Sequence, residues 1–359
     1  MVSLTGLAAV AAWTITGMAV GRIAEPRAAR RAAVWCATGV LAFAVAEWVV
    51  AAPARSTVVA VWAGVQVGAG SPGTALAAVC LCGLLVMAMA SVVDHAPAVL
   101  GRVCLLFAIA CGYVAMTHPL ADLALWILAM AVAWRWVRGP VYLLAQLAGA
   151  VGLVWGIGIG GFARSAVWFA RAPMGVLVGL SMVPLSSAPI SGSLRVAAAV
   201  VAVCAAVYAV VQDDARRMLG GLMVSLNGFL LTGGAWQVLA VACAGLGMTL
   251  AAVEARRGPL SLSTPSGSLT ETPRLATALL VFGLGAVGFP PLLGFHGVHA
   301  AIEATLPLAV AAAVNGITVL RAFFGLFAGT AAHIGEPDLT ALERYAVFVA
   351  GAAMVLGGL

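Results

Sequence analysis

Apolar runs of about 17 to 23 residues recur along almost the whole chain, separated by short stretches rich in arginine, glycine or proline. Coiled as α-helices, such runs match a hydrocarbon core roughly 30 Å thick, and in lipid only helices and closed barrels satisfy their own backbone. The runs lack the apolar-polar alternation of barrel strands. The chain is therefore predicted to be all-α, a polytopic transmembrane helix bundle of about 13 spans. Only 8% of the residues are charged, against roughly 25% in a soluble domain, which leaves no segment for a separate soluble catalytic unit. The longest polar stretch, Glu254 to Arg274, has the Ser, Thr, Pro and Gly content of a loop.

The first run, Ser3 to Val20, has no basic region before it and is expected to be a retained span rather than a cleaved signal. The next, Ala32 to Ala51, carries Glu47 within reach of an interface. Thr57 to Gly70 is expected to be an extended external segment. Spans are then predicted from Thr74, Val99, Leu120 and Val141, followed by a short interfacial helix over Phe162 to Arg171, with Arg164 and Arg171 as its polar edge. Asp122 sits in the first turn after Pro119, where a carboxylate faces the positive helix end. All 18 basic residues are arginine, and the net charge of +6 fits anionic headgroups rather than nucleic acid. Arg22, Arg27, Arg30 and Arg31 mark the first loop as cytoplasmic by the positive-inside rule. Trp134, Arg135, Trp136 and Arg138 read as an interface anchor. The seven cysteines lie in apolar runs without metal spacing and are read as packing residues; no cofactor or metal is expected.

Two runs cannot be straight helices. From about Leu275 to about Ala304 one helix would be roughly 45 Å long. It is interrupted by Gly288-Phe289-Pro290-Pro291 and by Gly294. Prolines have no amide hydrogen, so the Ala286 and Val287 carbonyls lose their helical partners. His296, His299 and Glu303 then share one face if the helix resumes at Gly294. Two uses of that face stay open: a path for protons or a cation, or simple satisfaction of the freed carbonyls. The second broken run, Ala172 to Ile190, contains Pro173, Pro184 and Pro189, with Ser186 beside the middle break. Asn227, at depth in a later span, is expected to bond across to another helix.

These segments together resemble the proton-translocating antiporter-like membrane subunits of complex I, Mrp antiporters and membrane-bound hydrogenases. The resemblance rests on Gly288-Phe289-Pro290-Pro291 with Gly294-Phe295-His296-Gly297, on Gln212-Asp213-Asp214-Ala215-Arg216-Arg217 before a Ser-bearing helix, on Ala172-Pro173, and on Thr318 to Arg321. It implies an inverted-repeat core over residues 72–329, preceded by two spans and an external segment (1–71) and followed by a C-terminal span (330–359). It also implies a bacterial inner (cytoplasmic) membrane and assembly with other membrane subunits. Asp214, Arg216 and Arg217 would form the loop motif.

The family's relay of one glutamate and three lysines falls here at Ile127 or Leu128, near Ser186, near Gly247 and at Val298. Arginine, with a pKa above about 12, does not replace a proton-releasing lysine. The leading expectation is a divergent subunit in which proton or cation translocation is reduced or lost, with Ser186, Asn227 and the His296, His299, Glu303 face as ion-path candidates. Its rivals are the membrane subunit of an inorganic-carbon uptake system beside a zinc-binding partner, a non-transporting scaffold for redox or hydrogenase partners, and an unrelated transporter or lipid-modifying enzyme. Catalysis by this chain alone is not indicated, although it could belong to a quinone-reductase-like complex.

Overall fold

The structure, a computed structural model, describes residues 4–51, 61–62, 65–66, 72–90, 96–115, 119–154, 160–182, 192–232, 236–329 and 335–357. Apart from a two-residue antiparallel ladder, Val61–Trp62 with Val65–Gln66, its regular elements are helical. The helices are α1 (Leu4–Val20), α2 (Pro26–Ala51), α3 (Pro72–Met89), α4 (Pro97–Ala115), α5 (Pro119–Ala133), α6 (Pro140–Val154), α7 (Gly160–Ser165), α8 (Met174–Ser181), α9 (Gly192–Val210), α10 (Ala215–Leu231), α11 (Trp236–Arg257), α12 (Pro273–Ala286), α13 (Gly294–Ala304), α14 (Pro307–Phe327) and α15 (Ala341–Leu356). Seven of these fifteen helices open on a proline, whose fixed φ suits the first turn and whose missing N–H falls where no helical acceptor exists. The punctuation read in the sequence is thus helix initiation as much as helix breaking.

Five helices are long and apolar enough to cross a bilayer: Pro26–Val49, Pro97–Ala115, Gly192–Val210, Leu239–Arg257 and Pro307–Phe327. The remaining apolar helices are shorter, so helix length by itself supports an all-helical membrane bundle and not the full count of about 13 crossings. Almost every described side chain of α3 is buried, as is most of α4, α8 and α11, whereas α2 and α9 expose broad apolar faces. That pattern places α3 and α11 inside the bundle and turns α2 and α9 toward lipid. Close approach depends on small residues: a β-carbon at Gly101 would come within 2.7 Å of the Gly17 carbonyl oxygen, so α1 and α4 touch backbone to backbone.

One prediction is corrected by burial. The connector after α6 is helical, as α7 and a 3-10 turn over Ala166–Phe169, but it is not interfacial: Arg164, Ser165, Val167 and Trp168 are buried, and only its far end, Phe169 and Arg171, is exposed. Helices α6, α8 and α10 pack against it, and the Trp126 ring of α5 lies beside Arg164. The Ala172 to Ile190 run begins as α8 and reaches Met182; Pro184 and Ser186 lie outside the described residues.

Candidate functional site

The break between α12 and α13 is built as proline chemistry requires. Helix α12 ends at Ala286, Gly288 takes φ +78°, and α13 starts at Gly294. The amide of Phe289 reaches back to the Leu284 carbonyl at 2.9 Å, and that of Leu293 donates to the Met354 carbonyl of α15 at 2.8 Å. A β-carbon at Gly294 would land on the Gly285 carbonyl oxygen, so only glycine lets the two half-helices meet. Pro290 and Pro291 occupy the crossing.

The face after the break turns outward. Gly294, Gly297, Val298 and Ala301 face the bundle, while His296, His299 and Glu303 are exposed. His299 Nε2 lies 3.2 Å from Glu303 Oε1, the two side chains being 53% and 70% exposed, and the His299 ring stacks on Phe295 at 5.1 Å. The predicted common face is therefore real, but it lies on the outside of this chain. Val298, where the sequence resemblance leads one to expect a lysine, is 3% exposed and fills the space beside Gly288. Gly247 is covered by the Trp168 ring, and Ile127 and Leu128 point away from the bundle; the inward positions of α5 are Trp126, Ala129 and Ala133.

The interior is polar along a different line. Arg164 is 2% exposed, its guanidinium carbon 3.6 Å from the centre of the Trp126 ring, and none of its three guanidinium nitrogens has a hydrogen-bond partner among the described residues. Tyr113 of α4 and Tyr142 of α6 lie within electrostatic reach of that charge. The Gln146 side chain holds the Ala163 carbonyl at 2.7 Å, which fixes the turn that carries Arg164. Ser165, the next residue, accepts a short hydrogen bond from the Asn227 amide, which also donates to Met223 O at 2.8 Å. Two residues before Asn227 on the same helix, Ser225 accepts from Asn315 of α14 at 2.9 Å. A row of hydrogen-bonding groups thus runs sideways through α7, α10 and α14. It holds one fixed positive charge, hydroxyls and carboxamides, and no group that exchanges a proton near neutral pH.

Asn227 bonds across to another helix as predicted. Asn315 was not singled out from the sequence, and Arg164 was read there as part of an interfacial helix rather than as a buried charge. Arg164 lies between two apolar runs with no acidic neighbour, and Asn315 sits in the middle of a span, so the presence of a polar group at membrane depth was the available signal for both.

At one end of the bundle the loop motif is a structural clasp. Asp214 caps α10 by accepting from the amides of Arg216 and Arg217 at 2.8 and 3.0 Å. Arg216 grips both oxygens of Glu254 at 2.8 Å and donates to the Ala172 carbonyl at 2.8 Å, tying α10 to α11 and to the start of α8. Arg217 is exposed. Arg321 pairs with Asp213 at 2.7 Å, Arg256 and Arg30 share Glu343 at 3.0 and 3.5 Å, and Arg257 holds Glu336. These pairs join the start of α2, the start of α10, the end of α11, the end of α14 and the start of α15, so they all lie at one end of the bundle. His299–Glu303 is the one ion pair at the other end among the described residues. No group of three potential metal ligands occurs among the described residues.

No protein-family model matches the chain, and no curated protein matches its sequence. Solved structures do match. A chain of respiratory complex I from Thermus thermophilus aligns with a TM-score of 0.75 at 18% identity, over 98% of this chain and 95% of that one. A chain of the membrane-bound sulfane sulfur reductase, an archaeal respiratory membrane complex, aligns with a TM-score of 0.74 at 13% identity, over 98% and 75%. A chain of the Mrp complex from Dietzia sp. aligns with a TM-score of 0.68 at 16% identity, over 99% and 95%. Identities this low carry the architecture and not the activity. The chain shares the fold of these chains of respiratory complex I, the sulfane sulfur reductase and the Mrp complex.

Proposed function

We propose that the chain is an antiporter-like subunit of a multi-subunit complex in a bacterial cytoplasmic membrane, crossing it about 13 times, and that translocation of protons or cations through its own interior is reduced or lost. One observation carries this reading: the interior row Arg164, Ser165, Asn227, Ser225, Asn315 pairs one fixed charge with neutral hydrogen-bonding groups. A proton can be handed along such a row only if some member releases it, and neither a guanidinium nor a carboxamide does so near neutral pH. The positions matching the lysines and glutamate of the family are apolar where they are described: Val298 is buried, Gly247 is covered and Ile127 and Leu128 face outward.

The His296, His299, Glu303 face is an ion-path candidate only where a neighbouring subunit covers it, because it is exposed on this chain. The broad apolar faces of α2 and α9 and the basic clasp leave room for such neighbours. The test is purification of the tagged chain from native membranes in mild detergent, with the associated proteins identified. The reading predicts other membrane subunits in fixed stoichiometry. A redox subunit among them would favour a respiratory assembly, and a zinc-binding subunit would favour carbon uptake. A chain that runs alone and moves ions by itself would overturn the proposal.

A further inference from the structure

A second cluster of charge stands apart from the interior row and the clasp. Arg102 of α4 and Arg135 and Arg138, just beyond α5, converge on an open cavity of about 760 Å³ between the two helices. Among the described residues its remaining walls are Leu105, Val132, Ala131 and Trp134, and none of them is a carboxylate. Three guanidiniums facing one another without an acid repel, so each must be held by something else. Arg102 lies over the Trp136 ring at 5.1 Å, and Arg138 Nε donates to the Trp134 carbonyl at 3.0 Å. The remaining guanidinium N–H groups of this cluster are available to an oxyanion, and the arginine fork matches phosphate oxygens two at a time.

The cavity's depth in the membrane follows from the backbone. A β-carbon on Gly101 would meet the Gly21 amide nitrogen at 3.2 Å, which puts Arg102 level with the end of α1, at the end of the bundle where Arg22 and the arginines of the first turns of α2 lie. The cavity therefore opens at the arginine-rich end of the bundle, at headgroup height, with Leu105 and Val132 one turn deeper along the lipid-facing groove.

We propose that this cavity is a binding site for the phosphodiester headgroup of an anionic phospholipid, with Arg102, Arg135 and Arg138 on the phosphate and an acyl chain along Leu105 and Val132. A free phosphate would use the arginines but leave the apolar groove empty, which is why the occupant is lipid.

The test uses the full chain, in its complex, in nanodiscs of phosphatidylcholine doped with phosphatidylglycerol. The complex is extracted into detergent and the bound lipid is counted by native mass spectrometry. Phosphatidylglycerol is expected to stay bound in preference to phosphatidylcholine. Each single Arg→Gln change is expected to weaken retention about fivefold, and the triple Arg102→Gln/Arg135→Gln/Arg138→Gln about a hundredfold. The control Arg31→Gln, at the same end but outside the cavity, should leave retention unchanged. Should the triple variant not fold, Arg135→Gln is exposed and carries the test alone. Equal retention of the two lipids, retention untouched by the substitutions, or displacement of the lipid by millimolar inorganic phosphate would each overturn the proposal.

Discussion

Replacing Glu336 by leucine should loosen the end of the bundle where the chain's ion pairs gather. Arg257 Nε lies 3.0 and 2.9 Å from the two Glu336 oxygens, its NH2 is 2.9 Å from Oε2, and its NH1 donates to Leu326 O at 2.8 Å and Ser266 Oγ at 3.1 Å. The two side chains are only 3% and 5% exposed. An exposed pair would contribute at most about 1 kcal/mol, whereas stripping one partner from a buried pair costs about 3–5 kcal/mol because the other charge is left uncompensated. Here the guanidinium keeps two neutral acceptors, which places Glu336→Leu at the lower end, about 3 kcal/mol. In Arg257→Met/Glu336→Leu both charges leave together, and the methionine still meets the Phe327 ring over which Arg257 lies. The double variant should therefore return to within about 1 kcal/mol of wild type, about 2 kcal/mol better than Glu336→Leu alone. In a chain of this size each kcal/mol moves the melting temperature by about 1–2 °C, so the single variant should melt about 3–6 °C lower. Five buried cysteines, Cys80, Cys82, Cys104, Cys111 and Cys243, supply the readout: a thiol-reactive fluorophore reports their exposure on heating in detergent. A Glu336→Leu protein that melts with wild type, or a double variant as unstable as the single, would refute the reasoning.

Arg216→Met should cost less, about 1 kcal/mol, because its pair with Glu254 is 30% and 23% exposed, and the same melting assay checks that ranking. Gly294→Ala should cost about 3 kcal/mol and lower the folded yield, since the new methyl must displace the Gly285 carbonyl; yield after size exclusion reports it. Arg164→Leu should be neutral or raise stability by about 1–2 kcal/mol, whereas Trp126→Ala should cost about 3–5 kcal/mol by emptying the ring's place beneath a buried charge. His299→Ala should leave assembly and melting unchanged, because its one polar partner is the exposed Glu303.

What the sequence made legible was local. Proline lacks a donor wherever it stands, so the break at Pro290 and Pro291 could be read directly, whereas Asp214, read as part of a loop motif, turns out to be the N-cap of α10. The spacing of His296, His299 and Glu303 correctly put them on one face, but spacing does not say which way a face looks. That depended on Val298 and Gly297 seating against the other half-helix. Arg164 was misplaced for the same reason. Flanked by aromatics in a Gly-rich connector, it has the local look of an interface anchor, and its burial arises from packing on α6 and α10 and from the Trp126 ring of α5, none of which the local sequence shows. The inward register of α5, through Trp126 and not Ile127 or Leu128, is likewise a property of what surrounds the helix.

The central claim, that translocation through the interior of this chain is reduced or lost, is tested most directly by proton flux through proteoliposomes containing the whole complex. Wild type is compared with Asn227→Leu/Asn315→Leu, which removes both amides of the interior row. Equal flux per assembled complex is the predicted result. A flux that collapses in the double variant while assembly stays intact would contradict it.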